Sequence, residues 1–243
     1  MEILTLLFLF VLSFFIRIFS VMMGGGALIL LPILIFLGIP PSVAVASNRF
    51  GAMFINFTLI KFHKKKKVDW KLAWYLIPPT LIGALIGTYF VIEIDQEFYK
   101  RIIGLVTAFS VVLLLIKPKV GLIKFKITKT KRIIGWFLAI LAGFLAGLFA
   151  LTGIWLTYLF LYFGLDFIET AGTRKVLGIC LWGASIIWLM IAGLVNWPVA
   201  IALFCGSGLG AWVGVDLGMK AGNVWIKKLF MVVVILSALK LLI

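Results

Sequence analysis

Two short polar clusters, each with an arginine, interrupt long apolar runs of this chain. They are residues 46–49 (Ala-Ser-Asn-Arg) and 172–175 (Gly-Thr-Arg-Lys). A guanidinium presents a charged, planar fork of N–H groups that matches the oxygens of a small oxyanion, and neighbouring hydroxyl and amide groups can add donors. The candidate anion ligands are therefore Ser47, Asn48, Arg49, Thr173 and Arg174. The alternative is that the two arginines reach the membrane interface or pair with a carboxylate such as Glu169.

Three consecutive glycines lie inside the apolar run 3–37. Glycine disfavours a helix by about 1 kcal/mol per residue, so the triplet predicts a helix break with unpaired backbone amides. A Thr-Gly pair stands at the corresponding point of the apolar run 133–163. Such amides, with the positive end of the following helix, would attract an anion. This adds Gly24, Gly25, Gly26, Thr152 and Gly153 to the candidates; the alternative is that the glycines form only a hinge.

Other chemistry is sparse in the sequence. It shows no nucleophile paired with a base, no metal-ligand spacing and no phosphate-binding loop, which argues against an intramembrane enzyme. No cofactor is expected. Asp216 is the only carboxylate deep in a late apolar run and could carry a proton. Because Lys220 follows it by four residues, we expect an ion pair between them instead.

The elements that must position these residues are membrane helices. Of the 243 residues, 64% are hydrophobic and 13% are charged, against roughly 45–50% and about 25% in soluble domains. A net charge of +15 would indicate nucleic acid in a soluble protein, but most lysines here lie in two loops, as expected for loops that face anionic lipid. We predict an all-α, polytopic membrane helical bundle of eight to ten transmembrane segments, surrounded by lipid and without a nucleic-acid partner.

The chain resembles itself at a spacing of about 127 residues. Residues 68–70 (Val-Asp-Trp) parallel residues 195–197 (Val-Asn-Trp), and Gly83 and Gly87 parallel Gly210 and Gly214. We predict two structurally repeated halves, 1–120 and 133–243, each with an interrupted first helix, joined by a basic cytoplasmic linker at 121–132. Duplicated halves around broken helices are typical of secondary transporters. The alternative is a duplication in a membrane protein with another role.

Basic loops indicate the orientation of the bundle. Residues 61–71 carry six lysines and residues 117–132 carry seven basic residues, so both loops should be cytoplasmic, with the acidic turn 93–97 outside. If each interrupted run crosses the membrane once, the halves run parallel. If each run crosses twice, the halves are inverted and Lys220 lies inside with Lys227 and Lys228. The charge rule favours inversion, whereas the short second pieces of the runs argue against full crossings, so both arrangements stay open.

Glycine- and proline-containing motifs mark the start of the first half: residues 22–27 (Met-Met-Gly-Gly-Gly-Ala), 38–41 (Gly-Ile-Pro-Pro) and 44–48 (Ala-Val-Ala-Ser-Asn). With Gly172-Thr173 in the second half, they resemble the TauE/SafE family of sulfite-exporter-like membrane permeases, over nearly the whole chain. The resemblance implies a carrier of small sulfur-containing or organic anions in a bacterial or archaeal inner membrane. The second half departs from the family pattern, since residues 150–153 (Ala-Leu-Thr-Gly) replace the glycine triplet and Arg174 stands where a small hydroxyl residue is commoner.

Together these features predict a secondary transporter, an exporter of small anions such as sulfite or organosulfonates, with the anion held between the halves. A proton or sodium ion is the candidate coupling ion. Two rival interpretations are a membrane scaffold or anchor subunit that transports nothing and an intramembrane enzyme. The identity of the anion, the direction of transport and the oligomeric state are open at this stage.

Overall fold

A computed structural model of the protein describes residues 3–22, 24–115, 129–150 and 152–242, with the backbone alone at 108, 111–115, 129–130, 152 and 222–242. The described residues form helices and no β-strand. The helices are α1 (Ile3–Ser20), α2 (Gly26–Phe36), α3 (Pro41–Gly51), a 3-10 segment (Met53–Thr58), α4 (Leu59–Lys64), α5 (Trp70–Glu93), α6 (Gln96–Leu115), α7 (Lys129–Phe149), α8 (Thr152–Tyr162), α9 (Phe167–Ile191) and α10 (Trp197–Leu242). The all-α prediction is confirmed, and most of the predicted linker 121–132 lies outside the described residues.

Six stretches among the described residues are long and apolar enough to cross a membrane: Ile3–Ser20, Pro41–Lys64, Trp70–Glu93, Lys131–Phe149, Phe167–Ile191 and Trp197–Ala221. Large apolar side chains lie exposed on these stretches, as at Phe137 and Ile191, which are 71% and 78% exposed. A contiguous surface of this kind is stable against lipid rather than water. The chain is therefore a multi-pass membrane protein.

Both apolar runs that the sequence marked as interrupted are broken. α1 ends at Ser20 and α2 begins at Gly26, with Gly24 and Gly25 at φ 84° and 89°, a left-handed conformation that glycine adopts without strain. The second break lies between α7 and α8. The two short helices have 11 residues each and are about 16 Å long, against about 30 Å of hydrocarbon. Each run is thus one long helix followed by a piece too short to cross alone.

Local capping sets where two long helices begin. Asp69 precedes α5 and accepts a hydrogen bond from the backbone N–H of Leu72 at 2.9 Å. Asp166 precedes α9 and forms a reciprocal capping box with Glu169. Each side chain satisfies an amide of the first turn that has no helical acceptor. These caps fix the ends of α5 and α9 beside the lysine-rich loop.

Glycines bring α10 against α1 and α5 against α7. A methyl group added to any of these glycines would overlap a backbone carbonyl of the facing helix, so the helices approach closely along small residues. The contacts are Gly210 with Phe14 and Gly214 with Ile18 in one pair, and Gly83 with Ile140 and Gly87 with Phe144 in the other. Residue numbers rise together in both pairs, so each pair is parallel.

The directions of α5 and α10 are opposite. α5 begins at the lysine-rich loop 61–71 and runs away from it. α10 begins at Trp197, whose ring meets Phe50, and further along its Asp216 pairs with Lys61 of that loop. Because α7 is parallel to α5 and α1 is parallel to α10, α1 and α7 also run in opposite directions. The origin of the two halves by duplication stays a prediction.

The expected ion pair between Asp216 and Lys220 is wrong. Asp216 accepts a hydrogen bond from Lys61, whose ammonium also lies 4.2 Å from the ring centroid of Trp212. The sequence spacing of four residues allowed the local pair, but the side chain of Lys61 in α4 reaches this turn of α10 and supplies the nearer cation.

Candidate anion-binding site

A cavity of about 60 Å³ lies where the two helix breaks meet. Its wall comes from α1, α2, α8, α9 and the 3-10 segment. Among the described residues, its basic lining groups are Arg17, Arg174 and Lys175, and no aspartate or glutamate lines it. Charged groups at membrane depth are costly and usually serve a function. A cavity with three bases and no carboxylate in the described lining is suited to a negatively charged guest.

Gly24 and Gly153 bring the two breaks into contact. A methyl group added to either glycine would overlap the backbone of the other. The contact places the amino ends of α2 and α8 at the cavity. Gly24 donates its N–H to the carbonyl of Ser20 at 2.7 Å, whereas Gly25 caps α2 without any side-chain cap. The unpaired amides of the first helical turn and the positive end of the helix dipole favour an anion there.

Arg17 enters the cavity from α1 and is loosely held. Its Nε lies 3.4 Å from Ser207 Oγ and its Nη2 lies 3.4 Å from Asn48 Oδ1, beyond the usual range of strong N–H···O bonds. Sequence reasoning missed this residue. The available signal was that Arg17 is the only charged residue between positions 3 and 37, and a charge inside a membrane helix is a functional candidate.

Arg174 ties the two breaks together from α9. It donates to Thr157 Oγ1 at 2.7 Å, to the carbonyl of Val21 at 3.1 Å and to the carbonyl of Gly153. Val21 follows the end of α1, and Gly153 lies in the first turn of α8. The guanidinium is thereby fixed beside the cavity.

Lys175 is the third base of the cavity. It is 5% exposed and makes no hydrogen bond or ion pair with the residues that the structure describes. Ser20 Oγ, which also lines the cavity, is buried without a hydrogen-bond partner. Buried polar groups are normally satisfied. An anion would supply acceptors to both groups.

The predicted ligands are divided between this cavity and other places. Gly24, Gly25, Gly153 and Arg174 line the cavity. Gly26 begins α2 beside the Arg17 guanidinium, and Asn48 accepts from Arg17. Thr152 begins α8, and its side chain lies outside the described residues.

Ser47 and Thr173 bind the backbone of distant segments. Ser47 Oγ accepts from the N–H of Asn196 at 3.0 Å, and Thr173 Oγ1 accepts from the N–H of Asp69 at 2.9 Å. Each bond ties a helix to a loop, Ser47 to the loop before α10 and Thr173 to the loop before α5, and neither residue lines the cavity.

Arg49 occupies a separate site. It is 2% exposed and donates to Thr88 Oγ1 at 2.9 Å, to the carbonyl of Ala146 at 3.1 Å and to that of Gly147. These carbonyls belong to the last turn of α7, where an arginine offsets the negative end of the helix. The side chain of Arg49 is thus enclosed by other helices, and its acceptors in the described structure are not carboxylates. It lines a second, smaller cavity of about 10 Å³.

Comparison with known proteins decides the family. The family model described as "Sulfite exporter TauE/SafE" matches residues 9–241. The chain belongs to the TauE/SafE family. Similar proteins include a "Probable membrane transporter protein" of Haemophilus influenzae, 25% identical over 236 residues, which cover 96% of this chain and 92% of that protein. The "Probable membrane transporter protein YfcA" of Escherichia coli K12 is 24% identical over 231 residues, or 90% of this chain and 82% of that protein. No solved structure matches this TauE/SafE chain.

Proposed function

We propose that this TauE/SafE protein is a secondary transporter that exports a small sulfur oxyanion, with sulfite as the best fit. The observation that carries the proposal is the cavity with Arg17, Arg174 and Lys175 in its wall and no carboxylate in its described lining. Two of these bases are guanidiniums, whose forked N–H groups match the oxygens of an oxyanion. The proposed ligands are these three bases with the amides at the start of α2 and α8.

The volume of the cavity favours sulfite over the larger organosulfonates. A water molecule needs about 10–15 Å³ of such space, so about 60 Å³ accommodates roughly four to six non-hydrogen atoms. Sulfite has one sulfur and three oxygens. Larger organosulfonates, such as taurine, exceed this number of atoms and would bind only after the helices separate.

Broken helices around the cavity allow the bundle to change the side of the membrane to which the cavity opens. The α1–α2 break, the α7–α8 break and the 3-10 segment Met53–Thr58 all border the cavity. Discontinuous helices at a central site are typical of carriers in which one part of the bundle moves against the other. We infer that sulfite binds at these breaks and that their movement exposes it alternately to each side.

Transport of radiolabelled sulfite by proteoliposomes tests the proposal. The wild-type protein should give saturable flux above that of empty liposomes. Arg17→Gln should reduce that flux by about tenfold, the loss expected for one charge-assisted hydrogen bond. The matched control is Arg101→Gln, which removes the same group from an exposed position on α6.

Two results would contradict the proposal. Wild-type protein that moves no sulfite, sulfate or taurine would instead favour a scaffold without transport. Equal sulfite flux in the Arg17 and Arg101 variants would show that the cavity is not part of the transport pathway.

A further inference from the structure

Trp182 stands between two cavities that each contain arginine. Its side chain lines the 60 Å³ cavity with the three bases and also the 10 Å³ cavity with Arg49. The ring centroid of Trp182 lies 5.7 Å from Arg49 Cζ, within the range of a cation–π contact. One indole on α9 therefore separates the proposed anion site from a fourth buried cation.

Arg49 and Arg174 occupy equivalent surroundings at the two helix breaks. Arg174 donates to a threonine hydroxyl and to the carbonyl of Val21, which follows the end of α1. Arg49 also donates to a threonine hydroxyl and to the carbonyl of Gly147, in the last turn of α7. Each arginine thus comes from one predicted half and holds the end of the broken helix of the other. The second break has the same kind of cation as the first.

The two cavities follow one another along the axis of the bundle. Arg174 and Lys175 adjoin Thr173, which binds Asp69 at the lysine-rich end. Arg49 is in α3, which begins near Ser42, and Ser42 binds Gln96 at the opposite end, beside the acidic turn. An anion that leaves the three-base cavity toward the acidic turn meets Trp182 first and Arg49 next.

We propose that Arg49 is a second station for the transported oxyanion and that the Trp182 ring is the gate between the stations. This inference rests on the proposed transport function. A cavity of about 10 Å³ holds at most one water molecule, so the second station is closed while the ring is in place. Movement of the ring joins the cavities and offers the anion the Arg49 guanidinium with the hydroxyl of Ser185, which also lines the second cavity.

Trp182 variants test the gate. We would compare Trp182→Ala, Trp182→Phe and the control Trp188→Ala, which removes a 43% exposed tryptophan of the same helix that lines neither cavity. Sulfite binding is measured by calorimetry on purified protein, and net flux and sulfite–sulfite exchange are measured in proteoliposomes. The gate predicts that Trp182→Ala raises the ratio of net flux to sulfite–sulfite exchange severalfold above that of the wild type. Trp188→Ala should match the wild type, and Trp182→Phe, which keeps a smaller aromatic ring, should raise the ratio less than Trp182→Ala does.

Arg49 variants test the second station. Arg49→Gln should leave the affinity of purified protein for sulfite within about twofold and lower the flux by about tenfold or more. Arg49→Lys, which keeps a cation for the α7 carbonyls, should recover part of the flux. Thermal unfolding of each variant shows whether the loss of flux merely follows loss of fold.

The outcomes separate this inference from the proposed function. Wild-type protein that neither binds nor moves sulfite overturns the proposed function. Active wild-type protein with an unchanged flux-to-exchange ratio in Trp182→Ala overturns the gate alone. Binding and flux that fall together in Arg49→Gln, or that both stay unchanged, overturn the second station.

Discussion

Replacing Lys175 with methionine should have opposite effects on binding and on stability. Lys175 is 5% exposed, lines the three-base cavity and has no partner within the described structure. Methionine is of similar length and apolar, so the change removes the polar group while largely filling its space. If Lys175 serves to bind the ligand rather than to hold the fold, its removal should lower the affinity for sulfite and raise the stability of the ligand-free protein.

The magnitudes follow from the burial of the group. A hydrogen bond to a charged group contributes about 1.5–3 kcal/mol, and each 1.4 kcal/mol changes an affinity by about tenfold, so the Kd for sulfite should rise by about 10- to 100-fold. A buried polar group without a partner costs about 1–3 kcal/mol. Its removal should raise the Tm of the ligand-free protein by about 2 °C or more, because 1 kcal/mol corresponds to about 2–4 °C in a protein of this size.

Calorimetric titration with sulfite and thermal unfolding in detergent measure both effects. Lys100→Met, which removes an exposed lysine from α6, is the matched control and should change neither quantity. The reasoning is refuted if Lys175→Met lowers the Tm, which would make Lys175 a structural residue, or if it leaves the Kd unchanged.

Three further variants test other parts of the structure. Gly153→Ala should destabilise the fold by about 1–3 kcal/mol through overlap with Gly24 and should lower sulfite affinity. The control Gly104→Ala on α6, where an added methyl meets nothing within 4 Å, should be neutral or stabilising. Equal Tm values for the two variants would contradict the contact between the breaks. Asp216→Asn removes the partly exposed pair with Lys61 and should cost no more than about 1 kcal/mol with sulfite flux unchanged; a loss of flux at constant protein level would instead make Asp216 a proton carrier. Thr173→Val leaves the N–H of Asp69 without its acceptor and should lower the free energy of unfolding by about 1–3 kcal/mol. The Kd of the folded protein for sulfite, measured by titration, should stay as in the wild type. A raised Kd would place Thr173 in the binding site.

The helical class and both helix breaks could be predicted because they depend on local properties of the chain. Apolar length determines which segments can cross the membrane. Consecutive glycines disfavour continuation of a helix whatever surrounds them, as at Gly24 and Gly25. The contact between Gly24 and Gly153 was not predicted, because it depends on how the two breaks pack in three dimensions.

The cluster 46–49 shows why the site could be predicted only in part. Successive residues of a helix point about 100° apart, so residues that are adjacent in sequence face different neighbours. Ser47 binds the loop before α10, Asn48 binds Arg17, and Arg49 binds the end of α7. A polar cluster in the sequence of a membrane helix therefore marks several contacts rather than one site.

The most direct test of the three-base cavity is to locate a bound anion in it. Selenite resembles sulfite, and selenium scatters X-rays anomalously, so crystals of the protein grown with selenite would show its position. The account predicts one strong anomalous peak between Arg17, Arg174 and Lys175, at the amino ends of α2 and α8, and loss of that peak in Lys175→Met. Selenite found only on the surface lysines, or a peak in the cavity that persists in Lys175→Met, would contradict it.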